Sequence, residues 1–210
     1  QKVLFDLGYA HTGEYAKKLV NQGMILGNSA FMYRKKGTQT FLSKGLIGNQ
    51  EVETIHVDVS LVNTQDELDV EAVRNWQKDF QKADFVLENE KYIVGREVEK
   101  MSKSKYNVVN PDEICDTYGA DTLRMYEMFL GPIEQDKPWN TAGISGVHNF
   151  LKKFWRLFYQ QDQWLVSEQA PSPESLKILH QTIKKITDDI GRLSFNTCVS
   201  SFMICINELT

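Results

Sequence analysis

Three lysines, Lys100, Lys103 and Lys105, fall within six residues, interleaved with Met101, Ser102 and Ser104. Ammonium groups on long stems act as mobile point charges, and a polyphosphate carries the negative charges they would meet. A loop that holds such charges against charge developing in a transition state accelerates phosphate chemistry. The two serines can cap or tighten a turn within the run. The plainer reading of the same residues is a solvated basic loop. Other reactive side chains form no comparable group. His11, His56, His148 and His180 are scattered, which supports neither a metal site nor a histidine general base. Cys115, Cys198 and Cys205 lack any Cys-x-x-Cys spacing and read as small core residues, consistent with a reducing compartment. Asp66, Glu67, Asp69 and Glu71 precede a helical pattern and suit its positive end, so no metal site is assigned.

The elements around the lysine run follow from pattern and punctuation. Downstream, Pro111 suits the first turn of a helix, Asp112 and Glu113 suit its positive end, and Gly119 ends it. A second helix is expected from Asp121 to Leu130, stopped by Gly131 and Pro132, and a third from Gly143 to Tyr159. Leu176, Leu179, Ile183, Ile186 and Ile190 form one later apolar stripe, and Val199, Phe202, Met203 and Ile206 another. Upstream, Ile55, Val57, Val59 and Leu61 alternate with polar residues, which predicts a half-exposed strand. Leu68, Ala72, Trp76 and Phe80 recur every four residues and predict a helix. Phe85 to Leu87 and Tyr92 to Val94 flank Glu88, Asn89 and Glu90 as a hairpin would. Nearer the start, Thr12 is placed to cap a short helix closed by Gly23, Met24 to Gly27 read as a buried strand, and Val3, Leu4 and Phe5 read as part of a core element.

The bulk numbers fit a globular chain: 210 residues, 41% hydrophobic, 25% charged, net charge −4. They exclude disorder, a collagen-like repeat and a disulfide-stapled miniprotein. No apolar run approaches the about 18 residues of a membrane span. The net charge argues against a nonspecific nucleic-acid coat, yet its distribution is uneven. Residues 51–71 hold seven acids and no Lys or Arg, residues 91–105 hold five Lys or Arg against two Glu, and residues 140–161 hold Lys152, Lys153 and Arg156 with no acid. Position 1 is not Met and the last segment is still amphipathic, so both ends are expected to be cuts in a longer protein.

The run at residues 100–104 reads Lys-Met-Ser-Lys-Ser, which resembles the second signature of class I aminoacyl-tRNA synthetases. Asn107 to Asp112 and Tyr118 to Arg124 are similar to the branch for leucine, isoleucine, valine and methionine. Met128 to Pro132, then Lys137, Pro138 and Trp139, with Asn21 to Leu26 upstream, resemble the leucyl family within that branch. The resemblance covers residues 1–27 and 96–160, and beyond 161 only the bundle character matches.

The resemblance implies a mixed α/β and α fold. Residues 1–30 would close a Rossmann-like catalytic domain, 31–95 would be a small leucine-specific α+β insertion, 96–140 the signature loop with its connecting helices, and 141–210 the start of an antiparallel anticodon-binding bundle. The complete enzyme would activate leucine with ATP, accompanied by Mg2+, to leucyl-adenylate and transfer it to the 3′ end of tRNA(Leu). It would be cytoplasmic and monomeric, with no membrane partner, and this segment alone would be inactive. The first catalytic signature and the editing domain would lie upstream. Two other classes stay open on the sequence: a free-standing binding module that keeps the signature as a relic, and an isoleucyl, valyl or methionyl enzyme.

By the same resemblance Lys103 contacts ATP phosphates and stabilises the pyrophosphate leaving group, with Lys100 second. Met101, Ser102 and Ser104 complete the ATP-binding set, Met101 either anchoring the loop in an apolar pocket or contacting adenine, and the serines shaping the loop. Asn107 and Val108 position the loop or line the nucleotide site through backbone groups, and Lys105 reads as a solvated charge or else a tRNA contact. Two residues depart from the family pattern. Tyr106 stands where many members have Gly, so the loop is expected either to avoid a positive φ there or to differ in its open and closed states. Asn149 stands where many have Arg, so that Arg's contacts do not carry over. Lys152, Lys153 and Arg156 are candidates for RNA-backbone contact beside the plainer reading of a solvated helix face.

Overall fold

One long strand organises the sheet. In the computed structural model, which describes residues 1–161 and 163–210, β1 (Ile25–Lys35) pairs with four others. β2 (Thr40–Leu42), β3 (Val52–Val57), β4 (Asp84–Val86), β5 (Gly95–Lys100) and β6 (Lys137–Pro138) complete a six-stranded mixed sheet. Ala30 faces both Val57 of β3 and Arg96 of β5, so those two strands lie on opposite edges of β1. By the same logic, β6 and β3 share one edge and β5 and β2 the other. β4 adds outside β2 in parallel. β1 crosses position 30/31 without a break, and residues 29–32 are buried on both faces.

Seven α-helices are found among the described residues: α1 (Lys2–Asp6), α2 (Val70–Trp76), α3 (Pro111–Tyr118), α4 (Ala120–Phe129), α5 (Ile144–Arg156), α6 (Pro173–Gly191) and α7 (Phe195–Leu209). β7 (Tyr159–Gln160) and β8 (Gln163–Trp164) form a separate two-stranded ribbon. α6 packs on α7, and α7 packs on α4 and α5. The chain therefore has two cores. Met32, Phe41, Val57, Val73, Tyr92 and Val94 belong to the first, around the sheet and α2. Ile114, Tyr126, Ile144 and Val147 form the second, joined by Trp139 and Met203.

Local chemistry explains the helix boundaries. Asn110 accepts a hydrogen bond from the Asp112 N–H, Pro111 opens α3, and Gly119 leaves it at φ 87°. α5 stops at Arg156, three residues short of the expected end.

Several expectations are corrected. Val3, Leu4 and Phe5 lie on α1 with 68, 50 and 47% of their surface exposed, so they are not core residues of this chain. No helix follows Thr12, whose hydroxyl donates to the Glu14 carbonyl instead of capping one. Gly23 serves a close approach rather than a helix end, since a Cβ there would lie 2.1 Å from the Gln135 backbone. The alternating strand stops at Val57 because the Asp58 carboxylate accepts from the Ser60 N–H and turns the chain into a 3₁₀ segment. α2 is capped by Asp69 and ends at Trp76, where Gln77 goes extended, so the four-residue spacing does not run on as helix to Phe80. The expected hairpin is reduced to one bridge, Glu88 to Lys91, around left-handed Asn89 and Glu90. Tyr92 and Val94 turn into the first core instead.

Candidate functional site around the lysine loop

The loop begins at the last residue of β5, Lys100, and ends at the cap of α3. Lys103–Lys105 form a 3₁₀ turn whose cap is Ser102, and the Ser102 and Ser104 hydroxyls lie 2.8 Å apart. The two serines therefore shape the turn. Asn107 is buried and closes the base of the loop. Its Oδ1 accepts from the Ser102 N–H at 2.9 Å, and its Nδ2 donates to Ser29 Oγ at 2.8 Å and to the Lys100 carbonyl at 3.4 Å. β1 passes close enough here that a Cβ on Gly27 would lie 2.6 Å from the Asn107 carbonyl oxygen.

The three lysines separate into two kinds. Lys105 is not a solvated charge: its Nζ donates to Glu99 Oε1 at 2.6 Å, while the other carboxylate oxygen meets His56 Nε2 at 2.9 Å. Lys105, then the Ser29 hydroxyl and His56, hold the Glu99 carboxyl well below its ordinary range, at about 2. Lys100 and Lys103 are exposed and make no ion pair among the described residues. A fixed loop base with two unneutralised ammonium groups can receive a multiply charged phosphate chain.

Met101 is half-buried and lines a mostly apolar pocket of about 200 Å³ with Ile25, Val109, Ile114, Leu123 and Trp139. Trp139 donates its backbone N–H to Leu26 and stacks edge-on to Tyr126 at 5.3 Å. Val108 is exposed.

Tyr106 adopts φ 51°, ψ 32°, so the loop keeps the left-handed conformation that Gly would have allowed. Of the two alternatives for this position, avoidance of a positive φ is corrected.

The basic residues of α5 also divide. Lys153 donates to Asn207 of α7 at 2.9 Å. Lys152 and Arg156 line an open groove with Tyr118, Asp121, His148 and Trp155, and Trp155 is 60% exposed. Asn149 is exposed on the same helix. Among the described residues no group of three or more His, Cys, Asp or Glu side chains could hold a metal ion. No described helix is long and apolar enough to cross a membrane.

Sequence reasoning named the lysines, Asn107 and Tyr106 but missed Ser29, Glu99, His56 and Trp76 as their partners. The acidic stretch before the loop gave no such signal, because Asp66 pairs with Arg96, and Glu67 with Lys91, in the same way.

Residues 83–140, which contain this loop, match the family of class I tRNA synthetases for isoleucine, leucine, methionine and valine. That is the class of protein to which the stretch is similar. Along its whole length the chain is similar to leucine-tRNA ligases. Identity is 64% over 209 residues with that of Christiangramia forsetii and 63% over 211 residues with that of Flavobacterium psychrophilum. With the Bacteroides thetaiotaomicron ligase it is 57% over 210 residues. These matches cover 99–100% of this chain, which spans 22% of the length of each of these relatives. A crystal structure of the Agrobacterium radiobacter K84 agnB2 LeuRS-tRNA-LeuAMS ternary complex shares the fold, with a TM-score of 0.55. That likeness covers 99% of this chain and 20% of the other, at 22% identity.

Proposed function

We propose that this chain is the part of a leucine-activating synthetase that carries its phosphate-stabilising loop and the first helices that face tRNA. Lys103 contacts the ATP phosphates and steadies the negative charge that grows on pyrophosphate as it leaves, and Lys100 adds to the same field. Met101, Ser102 and Ser104 hold these charges in place from below. Mg2+ arrives bound to ATP as part of the substrate. The whole protein joins leucine to ATP as leucyl-adenylate and transfers it to tRNA(Leu), as a cytoplasmic monomer. Residues 1–30 belong to its Rossmann-like catalytic domain, 31–95 to an insertion, and 141–210 to an antiparallel bundle. Lys152, Arg156 and Trp155 form a face suited to the RNA backbone.

The observation that carries this reading is the pair of exposed ammonium groups, Lys100 and Lys103, on a loop whose base is locked by buried Asn107. The test is Lys103→Ala in the full-length enzyme, followed by leucine-dependent ATP–pyrophosphate exchange. The rate should fall at least about tenfold, equivalent to about 1.4 kcal/mol of transition-state stabilisation. Near-normal exchange would remove Lys103 from the role. This chain by itself should show no exchange.

A further inference from the structure

Tyr106 closes the Lys103–Lys105 turn in a conformation that a side chain with a Cβ resists. Its φ of 51° and ψ of 32° place it in the left-handed region, where Cβ crowds the carbonyl oxygen. Its own N–H donates to the Lys103 carbonyl at 3.3 Å and closes the turn that carries Lys103. The orientation of that turn therefore depends on a residue under strain.

Three contacts from residues 31–95 hold the strained residue. The Tyr106 ring meets Trp76 edge-on, with centroids 4.7 Å apart and planes at 83°. Gln77 Nε2 donates to the Tyr106 hydroxyl at 3.4 Å, and the Val59 N–H donates to the Tyr106 carbonyl at 3.1 Å. Trp76 does not yield easily, because it stacks on Phe80, a buried residue of the first core. Strain of this kind persists where the surroundings over-determine it, and it is concentrated where a segment must switch.

We propose that Tyr106 is a positioning residue, held in a left-handed conformation by Trp76 so that the α2 module sets how the turn presents Lys103. The inference rests on the phosphate-loop reading above. The contact favours the held turn and the backbone strain favours release, so the two oppose each other at a single residue. Tyr106 touches no substrate in this scheme and acts through the turn.

The test is a series at position 106 in the full-length enzyme, read as kcat and KM in leucine-dependent ATP–pyrophosphate exchange. Tyr106→Phe keeps the ring and should retain kcat within about threefold. Tyr106→Ala removes the ring but leaves a Cβ in the strained conformation, and kcat should fall about tenfold with KM for leucine unchanged. Tyr106→Gly removes both ring and strain and should exceed the Ala variant by at least about threefold, although its side chain is smaller. A ranking by side-chain size alone, with Gly equal to or below Ala, overturns the proposal, as does an Ala variant within about threefold of the parent. Trp76→Ala should lose activity that Tyr106→Gly restores and Tyr106→Phe does not. Failure of that restoration in a folded protein also overturns it, and the single-position series decides alone where Trp76→Ala does not fold. Lys103→Ala separates the two levels. Unimpaired exchange there overturns the phosphate-loop reading and this inference together, whereas a Lys103→Ala loss beside an unaffected Tyr106→Ala overturns the positioning role of Tyr106 alone.

Discussion

The lysine loop lies between two regions that hold it by different physics. On the sheet side the contacts are directional: Asn107 to Ser29, Lys105 and His56 to Glu99, and Tyr106 to Trp76. On the helical side Met101 lines an apolar cavity with Ile114 and Leu123, and Asn110 caps α3. The regions also differ in how far they complete their own cores. Met32, Phe41, Val57 and Val73 are fully buried around the sheet, whereas Ile183, Ile190 and Phe202 of the later helices are 50, 52 and 44% exposed. Hydrogen bonds and ring contacts fix position and angle, while apolar contact is non-directional and tolerates sliding. The directional contacts of the loop therefore run to the sheet region.

The sharpest way to break the contrast is to damage the sheet core. Phe41 is fully buried and packs against Phe80 edge-on and Phe85 face-on. Phe41→Ala should cost about 3–5 kcal/mol, the range for removing a buried aromatic ring. Hydrogen exchange should then show faster opening of β1 and β3, with α6 and α7 little changed. Equal loss of protection in both regions would mean that they unfold as one unit and that the contrast is false.

Next in size is the polar lock. Asn107→Ala leaves the Ser102 N–H without its partner and removes the bond to Ser29. A buried donor left unsatisfied costs about 1–3 kcal/mol, which a urea titration can read. Asn107→Asp keeps the acceptor for Ser102 but buries a carboxylate against the Lys100 carbonyl, so it should be no more stable than Ala. An Asn107→Ala variant as stable as the parent would show that the base of the loop is not locked there.

A smaller effect concerns Glu99, whose carboxylate is partly screened by solvent at 18% side-chain exposure. Its ordinary value of 4.5 is lowered to about 2 in the folded chain by Lys105 first, then Ser29 and His56. A lowered carboxyl pKa contributes stability that is fully present above the unfolded value and is lost as pH falls through the folded one. The gap in unfolding midpoint between the parent and Glu99→Gln should therefore be constant above about pH 5, then close towards pH 2. A gap that stays constant across that window would remove the carboxylate from the network.

What the sequence made legible was local. Pro111 and Gly119 bracket α3 because each acts on its own backbone, and the lysine run is readable because its chemistry lies within six residues. What it hid was settled by residues far away in the chain. Glu99, six residues before Lys105, is held in place for it by His56 of β3, 43 residues away. Tyr106 reads as incompatible with a positive φ until α2 supplies Trp76. Asn107 finds Ser29 across 78 residues, a pairing that no local pattern encodes. The early segment misled for the opposite reason. Val3, Leu4 and Phe5 have core-like composition, yet nothing in this chain covers them.

The smallest expected effect tests the helical side of the comparison. Ile183 lies mid-way along α6 and is 50% exposed, so only part of its side chain leaves water on folding. Full burial of an isoleucine is worth about 1.5–3 kcal/mol, and half of that is at stake here. Ile183→Ala gives back a few tenths of a kcal/mol, because alanine is the better helix former. The net loss in urea denaturation of this chain should be about 0.5–1 kcal/mol, several times less than for Phe41→Ala. A loss as large as that of Phe41→Ala would mean that α6 is held as tightly as the sheet.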